Sequence, residues 1–256
     1  MSRATALGVA LLLALACAGC ANGPPPLATG PSIPPGGQAL VYAALGASET
    51  SGAGLDDLAL RERYTWPQLF FNRALPRAAT YYNFGVPGIT TAAALTDEVP
   101  RALAVHPTVV TVFFNIDDLV NGVDPATFGS YLDRIVHAMR QGGRARVLVG
   151  NAPTIDSLPA FRACLGLAAG AAQCPLPAGV TLPPLAVVDA AVDAYDAAIA
   201  AVVSRQGAIL IDVRAHSGEL TANPADVAAD GLHPSPLGNE VLAGLFATAY
   251  AAASAG

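Results

Sequence analysis

From Ala39 onward, short runs of β-branched and apolar residues alternate with longer segments whose apolar positions recur every three or four residues. That alternation constrains the fold most, because parallel strands need long crossovers between them and helices supply those crossovers. The spacing predicts strands at Ala39 to Leu45, Thr80 to Phe84, Thr108 to Asn115, Arg146 to Asn151 and Ala208 to Asp212. The runs around positions 110, 148 and 210 are apolar on both faces, as strands covered on both sides are. Asp124-Pro125 reads as a cap followed by a first-turn proline, and Phe128, Leu132, Ile135 and Met139 continue as one helical stripe. Val188, Val192, Tyr195, Ile199 and Val202 make a second stripe, and Leu237, Val241, Leu245 and Ala249 a third that closes the domain. In such open sheets ligands collect beyond the carboxyl ends of the strands. Chemistry is therefore sought where each apolar run stops.

Ahead of the first strand the chain changes character. Arg3 and the apolar stretch Ala4 to Ala16 have the charge and length of an export signal, too short to span a bilayer. Ala18-Gly19-Cys20 then resembles a lipobox, with Cys20 as the residue to be lipidated. Cys17, after Leu15-Ala16, is a rival lipidation site, and plain cleavage after Ala16 is a third outcome. Residues 21–38 form a tether: Asn22 to Gln38 alone contains six prolines and four glycines. The globular domain is expected over residues 39–256. Past the leader only Cys164 and Cys174 remain, ten residues apart, and in an oxidising compartment they are expected to close a local disulfide.

Three polar features stand at predicted strand ends, and a fourth stands immediately before the last helix. Ser48, in Leu45-Gly46-Ala47-Ser48-Glu49-Thr50, occupies a strand-to-helix turn, where a serine is either a cap or an exposed nucleophile. Asp230-Gly231-Leu232-His233-Pro234 is either an Asx turn before a helix or a base oriented by a carboxylate. Asn83-Phe84-Gly85-Val86-Pro87-Gly88 can turn backbone N–H groups into a cleft. Asn115-Ile116-Asp117-Asp118 adds side chains at the same edge.

In this order the four resemble the conserved blocks of the SGNH (GDSL) hydrolases. The segments that carry the resemblance are "DGLHPSPLGNEVLA", "YAALGASETSG" and "NFGVPGITT", and it extends from about Ala39 to the end of the chain. It implies an α/β fold, a three-layer α/β/α sandwich with a flavodoxin-like five-stranded parallel sheet. It also implies a cofactor-free serine hydrolase acting on small acyl or acetyl esters, carbohydrate esters among them. Carried over by position, Ser48 is the nucleophile, His233 the base and Asp230 the residue that orients it. The N–H groups of Ser48 and Gly88 would form part of the oxyanion hole.

Two positions depart from the family pattern. Ala47 stands beside the nucleophile where Asp is usual. Asp117 occupies the place of the Asn that donates to the oxyanion, and Asn115 the place of a Gly. An ionised Asp only accepts hydrogen bonds, and losing one oxyanion donor costs about 10²–10³ in rate. Either Asp117 is protonated in an apolar pocket, or Asn115 supplies the donor, or the enzyme is slow or inactive. The last outcome would make the chain a binding or envelope-structural lipoprotein on a hydrolase fold.

Other chemistries find little support. The net charge of −6 opposes nucleic-acid binding. The four histidines, at 106, 137, 216 and 233, show no paired metal-ligand spacing, and a chain without Lys has no phosphate-loop lysine. The partners expected are a small ester and, through the lipid anchor, a membrane on the periplasmic or extracellular face.

Overall fold

A computed structural model describes residues 40–114, 116–167, 173–174, 182–218 and 223–254. Its sheet holds β1 (Val41–Gly46), β2 (Thr80–Asn83), β3 (Val109–Phe113), β4 (Arg146–Gly150) and β5 (Ile209–Ile211). The strands run in the order β2-β1-β3-β4-β5, and every neighbouring pair is parallel. All five predicted strands are present, one to three residues shorter than the apolar runs suggested, because ladder pairing stops before the apolar sequence does.

Side chains alternate across the sheet and divide the core in two. Ala43, Leu45, Val110, Val112, Val147 and Val149 face one layer, against α5 (Glu98–Ala104), α7 (Pro125–Arg140) and α9 (Leu185–Gln206). Tyr42, Ala44, Val109, Phe113, Leu148 and Ile211 face the other, against α3 (Trp66–Ala74) and the last helix, α10 (Pro236–Ala252). Period-two alternation with apolar residues on both faces is what a sheet sandwiched between helices requires. The result is the three-layer α/β/α sandwich.

The helices form where the sequence provides ends for them. Asp124 caps α7 by accepting from the Ala126 and Thr127 amides, and Pro125 takes the position whose N–H would go unused. Gly207 ends α9 in the left-handed region at φ 62°. The α7 and α9 stripes are buried as expected, with the Phe128 and Tyr195 rings stacked 4.4 Å apart. The third stripe was misplaced. Leu237 is 51% exposed, and the buried face of α10 is instead Gly238, Asn239, Leu242, Ala243 and Phe246. In a helix apolar nearly all round, periodicity does not choose a face. Phe246 chooses it, by stacking on Trp66 at 4.2 Å and meeting Phe113 edge-on.

Cys164, at the end of α8 (Pro159–Cys164), and Cys174 are bonded, as the spacing predicted. No described helix is long and apolar enough to cross a membrane.

Candidate active site

The site residues gather at the carboxyl edge of the sheet, around the switch point where β1 pairs with β2 on one side and β3 on the other. Ser48 opens α1 (Ser48–Ser51), two residues past the end of β1. As the first residue of a helical turn its N–H has no acceptor within that turn. Buried Ala47 packs into the core here, so the place of the usual carboxylate is taken by an apolar contact. Among the described residues the Ser48 hydroxyl donates to the Glu49 carboxylate, Oγ to Oε2 3.2 Å, and not to His233.

His233 sits in the turn before α10. The Asp230 carboxylate accepts from the Leu232 and His233 amides through Oδ1, at 2.9 and 3.0 Å, and contacts His233 Nδ1 through Oδ2 at 2.7 Å. Both readings of this segment are therefore met by one geometry, an Asx turn that also orients the ring. Burial pushes the Asp230 carboxyl up, but the hydrogen bonds from the His233 ring and the two amides outweigh it and hold it below the usual range. An ionised Asp230 keeps the proton of a neutral ring on Nδ1 and leaves Nε2 as a base.

The turn is fixed from below. Ser235 caps α10 through the Leu237 and Gly238 amides. Buried Asn239 donates to the Pro234 and Ser235 carbonyls and accepts from the Trp66 amide at 2.8 Å. From the side, Gly54 comes so close that a Cβ there would lie 2.7 Å from His233 Cβ. Gly54 follows the α1 turn, whose Ser48 carbonyl accepts from Ala53 N. The base thus packs against the segment that leaves the nucleophile turn. Glu49 and His233 border one cleft, whose apolar wall includes Phe113, Leu158, Val213 and Leu242.

Val86-Pro87-Gly88-Ile89 forms a type II turn. Pro87 precedes Gly88, whose φ is 76°, and Ile89 N returns to Val86 O at 3.3 Å. Its closing bond uses Ile89 N, and a Cβ on Gly88 would meet nothing within 4 Å. At the end of β3, Asp117 lies in α6 (Ile116–Val120), half-buried. Burial, then the Glu49 and Asp118 carboxylates, push its carboxyl up to about 6, against the opposing pull of His233. Expectation and structure agree on the direction, yet at neutral pH this carboxyl is still mostly ionised. Asn115, the alternative donor, lies outside the described residues.

Three residues given no role of their own in the sequence are parts of this site. Glu49 holds the serine hydroxyl and faces His233 across the cleft. Asp118 is fully buried and accepts from Thr91 N at 2.8 Å and Thr91 Oγ1 at 2.7 Å, which ties the third block to the second. Glu98, also fully buried, accepts from Gly46 N at 3.0 Å and Val86 N at 3.2 Å. Its signal was its place four residues before buried Ala102 and beside Val99, on the inner face of a short helix. Among the described residues no three His, Cys, Asp or Glu converge as metal ligands do.

Comparisons agree with this architecture. A lipase/acylhydrolase from Enterococcus faecalis superposes with a TM-score of 0.58 at 21% identity, covering 82% of this chain and 94% of the other. TesA gives 0.59 at 20% identity, covering 82% and 97%. A mutant of Axe2, an acetyl-xylooligosaccharide esterase from Geobacillus, gives 0.60 at 16% identity, covering 84% and 95%. At these identities the likeness shows the fold. No curated protein matches the sequence. The family comes from the sequence itself: the profile of the GDSL-like lipase/acylhydrolases matches residues 44–241, and the chain belongs to that family.

Proposed function

We propose that this protein is a serine esterase of small acyl or acetyl esters, using Ser48, His233 and Asp230. The reading is carried by the 2.7 Å contact of His233 Nδ1 with Asp230, made in a turn that packs on the segment leaving Ser48. Ser48 leaves Glu49 by a side-chain rotation, His233 Nε2 takes its proton, and the oxygen attacks the ester carbonyl. The Ser48 and Gly88 amides meet the oxyanion. His233 then protonates the departing alcohol, and water releases the acyl group by the same steps in reverse order.

A small acyl group suits the cleft beside His233, because Phe113, Val213 and Leu242 on its wall are core side chains. The esterase named among the structural neighbours acts on acetylated xylooligosaccharides, which makes acetylated sugars the first substrates to assay. A fluorophosphonate probe tests the reading: it should label the wild type and fail on Ser48→Ala. Absence of labelling from both would favour the second reading, a binding lipoprotein. That reading draws on the two departures from the family pattern, Ala47 beside the serine and the Asp117 carboxyl in place of an amide.

The same proposal includes export by residues 1–20, lipidation at Cys20 and a tether over residues 21–38. Incorporation of labelled palmitate into the wild type, lost in Cys20→Ser and kept in Cys17→Ser, is the expected result.

A further inference from the structure

The first two strands stay hydrogen-bonded beyond the end of their ladder. Ladder pairing of β1 with β2 ends at Ala44 and Asn83, after which Phe84 N reaches Ala44 O and Val86 N reaches Gly46 O. Beside the last of these bonds, whose Val86 N–H it shares, α5 inserts one side chain. The Glu98 carboxyl takes Gly46 N on Oε2 and Val86 N on Oε1, so one group bridges both chains. Gly46 lies two residues before the nucleophile, and Val86 two residues before Gly88. One helical turn on, Arg101 donates to the Phe84 carbonyl at 3.4 Å and lies over the Phe84 ring, 5.5 Å from its centre. Asp118 anchors the far end of the same loop at Thr91. The turn that carries Gly88 is thus strapped between two buried carboxyl groups.

We propose that Glu98 is a positioning residue for the oxyanion hole, fixing the Gly88 turn against the nucleophile turn by holding the Gly46 and Val86 amides together. The proposal rests on the esterase reading and goes beyond it. Glu98 touches no substrate. It sets the separation of the two amides that meet the oxyanion, a distance that matters in the transition state more than in substrate binding. Burial, opposed by the Gly46 and Val86 amides and by Arg101, and aided by Asp97, raises the carboxyl to about 8. It is therefore neutral at pH 7 and places no charge behind the hole until the solution turns alkaline.

The test compares wild type, Glu98→Gln and Glu98→Ala in the full chain, with p-nitrophenyl acetate as substrate and fluorophosphonate titration to count active sites. Glu98→Ala should lower kcat per titrated site by about 10- to 100-fold, the usual cost of misplaced groups, with KM little changed. Glu98→Gln keeps one acceptor and should lose less. Wild-type kcat should fall as Glu98 ionises above about pH 8, and Glu98→Gln, which cannot ionise, should lose that alkaline limb. A merely structural role would lower Tm and the titrated fraction but leave kcat per site and the alkaline limb in place. That result in Glu98→Gln overturns the proposal, even if Glu98→Ala does not fold. Failure of the underlying esterase reading shows separately, as a wild type that the probe does not label.

Discussion

At Asp117 a carboxyl group stands where the family resemblance asks for an amide, and its charge decides whether it helps or hinders. On the proposed reading, its raised value of about 6 means that acid converts it into a donor for the oxyanion and alkali into an anion that opposes it. Esterase activity should therefore increase as pH falls from 8 toward 6. Asp117→Asn supplies a donor at every pH and should raise kcat by as much as about 10²-fold, with the gain larger at pH 8 than at pH 6. Stopped assays over that range check it, and a loss of activity in Asp117→Asn would show that the carboxylate is needed. The turns that carry Ser48 and Asp230–His233 were legible because each is a short motif, the first at the end of an apolar run and the second just ahead of the last helix. Glu98 and Glu49 were not, because in helices this short the spacing from apolar neighbours, which for Glu98 points inward, says nothing of what a carboxyl will meet. For Glu98 only the packing of α5 on the loop after β2 decides that.

At the scale of elements, the α7 and α9 stripes could be read in advance because polar residues interrupt them at fixed intervals, and the strands because they are short apolar runs. Helix α10 lacks such interruptions, so its inner face awaited Trp66 and Phe246. Asn239, which the sequence offered only as part of a motif, joins that helix to α3 and to the Asp230–Pro234 turn at once. Asn239→Ala would strand the buried Trp66 amide, at a cost of about 1–3 kcal/mol in denaturant unfolding. It should also lower kcat, because Pro234, which follows His233, loses its anchor. An unchanged kcat would show that the Asp230 turn holds His233 by itself. The disulfide acts on a neighbouring element. Ala160 N, in the first turn of α8, donates to the Gly231 carbonyl at 2.9 Å, and Leu158 lines the cleft. Reduction of Cys164–Cys174 should cost about 2–3 kcal/mol on the chain-entropy account and change KM more than kcat. Assays with and without reductant would measure both, and a fall in kcat alone would place the loop's influence on the chemistry.

For the molecule as a whole, buried carboxyl groups set how stability responds to pH. Burial lifts Glu98 to about 8 and Asp117 and Asp196 to about 6, and it raises Asp118 as well. Each of these keeps in the folded state a proton that the unfolded chain has already released near pH 4. Where the native state binds more protons than the unfolded one, stability falls as pH rises. The stabilisation tied to these groups is thus complete below about pH 4 and lost upward, through about 6 for Asp117 and Asp196 and about 8 for Glu98. Asp230 and Asp133 are held low by their partners and act oppositely, losing their contribution only under more acid conditions. The two sets together place the stability maximum on the acid side of neutrality. Tm should be higher at pH 5 than at pH 8.5 and should decline again as Asp230 and Asp133 protonate. Glu98→Gln should flatten the segment between pH 6 and 8 and leave the acid limb as it is. Calorimetry of both proteins across that range is the measurement. A wild-type Tm that rises steadily from pH 5 to 8.5 would mean that Glu98 is ionised in the folded state, with the two amides and Arg101 outweighing its burial.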